Sequence, residues 1–444
     1  MTMLPSFFVL QSGGKYLSLT DHTAATSPQA GFLKFDGQEI FCPRVRFAVE
    51  ASETTGLVHI RSCYNNKYLV TKQIDNNLLI VACAKKPEED VSKDSSTHLL
   101  GDDDTQQDML VVSSTGSVFN AIDWNSLVII PSNTQVAFRS EQLTDSYLIS
   151  VVLDRWYPYQ KFERGWDIGD PLVAKELIQL GNGDYRVNDM HFRKRWTGAP
   201  GWIWAEAAIN DTSNNTRFAF VKVSDKIVAL RHVNRNQFCG IITMEGKVDV
   251  LRASYPTISR QARLMVEECV LSREITNVIY RLSDSRIYGE NIEEVNHAMA
   301  TNNSATHDST ISLAYTITDA RTTSWTNSVS ISMGVQVSFK TSVIPLIASG
   351  KVEVSTEFGY TYEWGVSETR ERTRTTTYNV VVPPLTSIKV TLMCTKGACD
   401  VPFTYTQRDL RTNGTWVSTV KHDGVYTGAN AYNFYYESTE VPLN

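Results

Sequence analysis

The chain has 444 residues, enough for two to four domains at roughly 100–200 residues each. Hydrophobic residues make up 42% and charged residues 20%, which excludes wholesale disorder. A formal net charge of −6 argues against a phosphate-reading surface, and so against nucleic acid as a partner.

Strand and turn signals follow one another from the N-terminus. Short alternating runs at 7–10, 16–19, 57–60, 68–70 and 78–82 are bounded by Gly, Asn, Asp and Pro. Residues 1–12 carry no basic cluster ahead of an apolar core, so no signal peptide is read and cytoplasmic residence is expected. No run approaches the roughly 20 apolar residues of a membrane-spanning helix. Residues 171–180 are a candidate for one short helix. Seven cysteines are too few and too scattered for a disulfide scaffold. Cys394 and Cys399 read as two reduced thiols or a local disulfide, ahead of a metal site.

A rhythm of strand, polar turn and Lys-Tyr-Leu or Ser-Tyr-Leu recurs at 9–19, 59–70 and 137–149, and more loosely at 185–196 and 228–238. Copies about 40–50 residues apart suit the lobes of a three-lobed β-barrel or the blades of a propeller. Five or six copies in the first 273 residues suit two three-lobed barrels better than one propeller. Between 86 and 119 a polar stretch with Asp102, Asp103 and Asp104 stands where a lobe is due, so the third lobe of the first barrel reads as shortened. The acidic run reads as a solvated loop, because no ligand spacing with a Gly turn supports calcium.

Composition changes near residue 300. From 301 to 342, 18 of 42 residues are Ser or Thr and 4 are charged, and alternation decides for strand over disorder. Ile311, Leu313, Tyr315 and Ile317 alternate with Ser, Ala and Thr. The pattern returns at Val329, Ile331, Met333, Val335, Val337 and Phe339. An apolar stretch with Ile344, Leu346 and Ile347 follows. Alternation then resumes with Val352, Val354, Phe358, Tyr360, Tyr362 and Trp364. We read a long antiparallel hairpin at about 328–366 with an apolar tip at 343–348.

Each arm exceeds the roughly 9–11 tilted residues that cross a bilayer as a strand. One face is apolar and the other polar, which suits lipid on one side and a wet lumen on the other. Lys340, Lys351, Glu353, Glu357 and Glu363 fall on the lumen side, a net −1 per copy. A lone hairpin cannot stay in lipid with unsatisfied edges, so insertion requires a ring of copies. The alternative is a long hairpin packed on the core of a water-soluble sandwich. Arg370, Arg372 and Arg374 share a strand face and read as a solvated edge that discourages aggregation, ahead of a role at anionic head groups.

The block 311–406, with its Ser/Thr-rich arms, Ile344-Pro-Leu-Ile and VSTEFGYTYEWG (354–365), resembles the aerolysin-like pore-forming module. EITNVIYRLSDSRI (274–287) is similar to that module's entry strand in plant lectin fusions. LVHIRSCYNNKYLV (57–70), FNAIDW (119–124), DPLVAKE (170–176) and LGNGDYRVNDMHFRKRW (180–196) resemble amaranthin-type lectin domains, or agglutinin domains. The resemblance implies an all-β fold. Two tandem β-trefoil lectin domains, 1–126 and 127–273, precede an elongated aerolysin-like β-sheet module, 274–444. It also implies Gal/GalNAc-type glycans as partners, a homodimer in solution, and a ring at the membrane surface when inserted.

Candidate sugar contacts in the first domain are Asp75, Asn76 and Asn77, in a loop where the family presents aromatics and this chain has Leu78. In the second domain they are Asp189, His191, Trp202 and Trp204, within a stretch holding five of the nine tryptophans. Trp202 reads equally as a sugar platform or as core, and Trp204 more as core. No catalytic motif and no paired histidines stand out, so no enzyme activity, metal or cofactor is expected. The function read from the sequence is a sugar-targeted pore former of the defence-toxin type. The alternative is a non-lytic defence or stress lectin that uses its C-terminal domain for oligomerisation and avidity.

Overall fold

The computed structural model describes residues 4–20, 31–53, 57–74, 77–89, 100–103, 109–112, 119–130, 132–198, 200–224, 227–327, 335–341, 343–356 and 362–442. Alternating apolar and polar residues between polar turns give antiparallel strands almost throughout, so the fold is all-β. The chain divides into two compact units: 1–274 with 328–337 and 407–419, and 275–327 with 338–406 and 420–444.

Six strands close a ring between residues 134 and 268. Thr134–Ser140 pairs with Lys175–Gln179, which pairs with Asp184–Asp189. Phe218–Lys222, Ile227–His232 and Leu264–Glu268 follow, and the last returns to Thr134–Ser140. Three further hairpins accompany the ring: Ser146–Val152 with Pro158–Arg164, Lys194–Thr197 with Trp204–Ala207, and Gln237–Met244 with Lys247–Tyr255. This is the β-trefoil plan. The recurring segments 137–149, 185–196 and 228–238 each fall where a ring strand turns into its hairpin. Phe138, Leu177, Tyr185, Phe218, Leu230 and Leu264 are buried together in its core.

The helix expected at 171–180 is absent. Lys175–Gln179 is a ring strand, paired on both edges. Its Lys175 side chain is fully buried against Asp189 at 3.1 Å. Tertiary pairing of this kind overrides local propensity.

The first domain follows the same plan with ten strands among the described residues. Asn120–Asp123, Phe7–Ser12, Phe47–Ala51 and Val58–Ser62 form an arc equivalent to four ring strands. Its hairpins are Lys15–Leu19 with Leu33–Gly37, Tyr68–Ile74 with Asn77–Ala84, and Leu100–Asp103 with Met109–Val112. Among the described residues no strand stands where Phe218–Lys222 and Ile227–His232 stand in the second domain. Asp102 and Asp103, expected in a loop, are strand residues, and Asp104 lies outside the described residues.

The two trefoils share a core. Ile40, Phe41 and Val45 belong to the same buried cluster as Tyr185, with the Phe41 and Tyr185 rings 6.3 Å apart. The Ile40 N–H donates to the Gly181 carbonyl at 3.0 Å, and a Cβ on Gly181 would collide with the Gln38 carbonyl oxygen.

The third sheet runs Gln336–Phe339, Val270–Tyr280, Thr386–Arg411, Trp416–Pro442, Ser309–Asn327, Ser367–Val382, with Arg286–Asn302 also on Thr386–Arg411. Two strands of 26 and 27 residues make it elongated, against a usual length of about 5–6. Leu313, Tyr315 and Ile317 are buried and the residues between them exposed, as alternation requires. Arg370, Arg372 and Arg374 lie on the edge strand Ser367–Val382. Cys394 and Cys399 lie five residues apart on one strand, about 16 Å by strand rise, so they are not bonded to each other.

Candidate functional site

The stretch expected as an apolar hairpin tip is itself a strand. Val343–Ala348 pairs antiparallel with Lys351–Thr356 in a separate two-stranded sheet. The turn is Ser349 and Gly350, both left-handed at φ 49° and 73°, the conformation of a two-residue type I′ hairpin. Opposite residues share a face. Val343, Pro345 and Ile347 therefore lie with Thr356, Val354 and Val352, and Ile344, Leu346 and Ala348 lie with Ser355, Glu353 and Lys351. Ile344 and Leu346, expected to act with Ile347, are on the opposite face from it. Ile344 and Ile347 are both buried, whereas Val354 is 48% exposed.

The flanking residues keep the expected alternation. Val335 and Val337 are half-buried and Phe339 is buried, while Gln336, Ser338 and Lys340 are exposed. Tyr362 is buried, Trp364 half-buried and Glu363 exposed. Lys351 and Glu353 are exposed as well. Val329, Ile331, Met333, Glu357, Phe358 and Tyr360 lie outside the described residues.

An aromatic cluster holds the buried side. Trp325, 1% exposed, stands 5.3 Å from Phe339 and 4.5 Å from Tyr362, centroid to centroid. Trp364 stands 5.9 Å from Phe403 and 5.1 Å from Tyr405. The Trp325 indole N–H donates to the Tyr280 hydroxyl at 2.8 Å. The Arg370 guanidinium lies 4.6 Å from the Tyr362 ring centre. Beside this cluster a cavity of about 280 Å³ is lined by Ile344, Leu346 and Tyr362 together with Asp319, Arg321 and Arg372.

The candidate sugar contacts scatter. Asp189 is buried at 1% exposure, paired with Lys175 and bonded to the Ser150 hydroxyl. Its Oδ1 accepts the backbone N–H groups of His191 and Phe192 at 3.1 and 2.8 Å. Burial draws the Lys175 ammonium below its ordinary range, opposed by Asp189. Asp189 therefore builds the core. His191 is exposed. Trp202 is 4% exposed, packed with Tyr159 and Val250, its indole N–H on Glu245 at 3.3 Å. Trp204 stacks on Tyr157 at 4.3 Å. Trp202 therefore offers a ligand no open ring face. Asp75 and Asn76 lie outside the described residues, and Asn77 opens a strand.

Sequence reasoning missed Trp156, which is 81% exposed. Asp154 orders the loop beneath it. Its Oδ1 accepts the N–H groups of Trp156 and Tyr157 at 3.3 and 3.2 Å, and Tyr159 donates its hydroxyl to Oδ2 at 2.6 Å. The signal was present as an Asp two residues before the ring, an Asx-type turn.

Among the described residues no group of three His, Cys, Asp or Glu could hold a metal, and no helix is long and apolar enough to cross a membrane.

A model of the agglutinin domain family matches residues 2–115, and a model of the aerolysin toxin family matches residues 273–410. No curated protein matches the chain. Similar solved structures include the lamprey immune protein, 12% identical over 72% of this chain and 95% of that one, with a TM-score of 0.34. An aerolysin-like protein of Bombina maxima is 15% identical over 38% and 99%, at 0.26. The BEL β-trefoil is 11% identical over 32% and 97%, at 0.27. Scores this low carry nothing about function.

Proposed function

We propose that this chain, in which an agglutinin domain precedes an aerolysin toxin domain, is a lectin that binds glycosylated membranes and oligomerises into a β-barrel pore. In this reading residues 1–126 and 127–273 hold Gal/GalNAc-type glycans, with Trp156 as a stacking platform in the second domain. Residues 274–444 assemble, and the segment 328–366 inserts. The chain acts by binding and insertion, without catalysis.

The observation that supports this best is the divided character of the segment. One side is tucked against Trp325, Phe403 and Tyr405. The other presents Lys340, Lys351, Glu353 and Glu363 to water. Four ring contacts tie it to the body, at about 0.5–1.5 kcal/mol each beyond area burial, or roughly 2–6 kcal/mol. That overlaps the lower end of the roughly 5–15 kcal/mol of a whole domain, and the pairing of Gln336–Phe339 with Val270–Tyr280 adds to it, so release of the segment has to be driven by assembly. Its backbone edges must then be paired by other copies, because lipid offers them nothing.

The test is dye release from vesicles carrying galactose-terminated glycolipids, with and without free galactosides. Release that galactosides suppress is the expected result. Binding without release favours the non-lytic lectin, and absence of binding removes the glycan half of the reading.

A further inference from the structure

The outer edge of Val343–Ala348 is covered by side chains. In a two-residue hairpin the cross-strand pairs alternate between bonded and non-bonded, starting from the bonded pair beside the turn, here Ala348 and Lys351. Val343, Pro345 and Ile347 therefore turn their backbone groups away from Lys351–Thr356. The Ile347 N–H donates to Asn430 Oδ1 at 2.9 Å, and Asn430 Nδ2 donates to the Ile347 carbonyl at 2.9 Å. Pro345 has no N–H to satisfy. The Val343 carbonyl accepts the Tyr280 hydroxyl at 3.3 Å and the Thr341 hydroxyl at 2.9 Å.

A carboxamide carries a donor and an acceptor side by side, as a peptide group does. Asn430 therefore supplies the two hydrogen bonds that one residue of a neighbouring strand would make. Lys351–Thr356 is the other strand of the same small sheet and is paired on one side only among the described residues. Each hairpin thus has one capped edge and one open edge of equal length. Unlike edges that match join head to tail, and such contacts propagate around a ring.

We infer that the Val343–Ala348 edge is a strand-pairing surface for a second copy of this chain, and that Asn430 is a placeholder occupying it until that copy arrives. The inference rests on the pore reading for its purpose, and its test needs no membrane. Sedimentation of the full chain without lipid, over a series of protein concentrations, compares the wild type with Asn430→Leu. Loss of two hydrogen bonds from the cap is expected to bring self-association at about tenfold lower concentration. Adding Ile347→Pro removes the edge N–H and should restore the wild-type curve.

An Asn430→Leu protein with an unchanged curve would overturn the inference, and so would association that survives Ile347→Pro. If Asn430→Leu does not fold, judged by its melting transition, Asn430→Asp gives the same readout, since it keeps the acceptor and loses the donor. Vesicle leakage is scored separately. Association without leakage under any condition defeats the pore reading and leaves the edge standing. Leakage with an unshifted association curve does the reverse.

Discussion

Two tryptophans 46 positions apart, Trp156 and Trp202, take opposite places, one in water and one in the core. Trp202 sits beside Pro and Gly in what reads as a loop, yet its ring packs on Tyr159 and Val250. Trp156 sits at the end of an apolar strand, yet Asp154 turns the chain so that the ring faces water. Replacing Trp202 by Ala should cost about 3–5 kcal/mol of stability, as large aromatic truncations in a core do. Asp189→Asn should cost a similar amount, about 3–5 kcal/mol, by leaving Lys175 buried without its counter-charge. Trp156→Ala should leave the melting temperature within a degree or so and weaken glycan binding about tenfold, near the lower limit for an aromatic anchor. Paired melting and glycan-array measurements separate these outcomes. Unchanged glycan binding in the folded Trp156→Ala protein would remove Trp156 from the site. Periodicity shows which residues share a face. It does not show whether that face is covered, and that is why Asp189 reads as a sugar contact and Trp202 equally as platform or core.

At the scale of elements, the alternation of residues 335–364 was readable and the turn was not. A hydrophobic run at 343–348 reads as a lipid-seeking loop because its six residues are all apolar. The overlooked signal is Ser349-Gly350, a short turn dipeptide between two strand-like runs. It fixes the register, with Ala348 opposite Lys351 and Val343 opposite Thr356. Continued outward, that register sets Val337 against Tyr362, Gln336 against Glu363 and Val335 against Trp364, so apolar residues stay on one face of both arms. A loop over 340–351 would instead set Gln336 against Ser355. The inserted form should therefore form a disulfide between Gln336→Cys and Glu363→Cys, and none between Gln336→Cys and Ser355→Cys. Peptide mapping of vesicle-bound protein reads the difference, and the opposite pattern would restore the apolar loop at the tip.

For the whole molecule, the all-β class and the lobed organisation were visible in the sequence, because each repeat marks a ring strand turning into its hairpin. Joints between distant stretches were not. Arg273 is nearly buried and bonds both Glu268 and Asp409, residues that no local pattern relates. The core common to the two trefoils was equally hidden, since Phe41 and Tyr185 are 144 positions apart. In the proposed pore an ensemble property follows from the charges along the polar side of residues 328–366. Two lysines and three glutamates per copy give a ring an excess of negative charge. Reversal potentials across asymmetric salt should show a mild cation preference that fades as ionic strength rises. Equal permeability to both ions at low salt would show that these side chains do not face the conduit.

Pro345 has a consequence for bilayer thickness. A prolyl residue on the outward edge leaves a gap in the ladder between neighbouring hairpins, because it offers no N–H to the next strand. The stretch from Val335 to Pro345 is about the 9–11 residues that a tilted strand needs to span hydrocarbon. In the proposed pore the turn beyond it, with Lys351 and Glu353, emerges among the head groups of the far leaflet. Carrying one lysine through the bilayer centre costs about 2.5–3.5 kcal/mol on an insertion scale. A solitary hairpin has no wet path for that charge, whereas a closed circle of hairpins supplies one as it descends, so in the proposed pore encirclement comes before penetration.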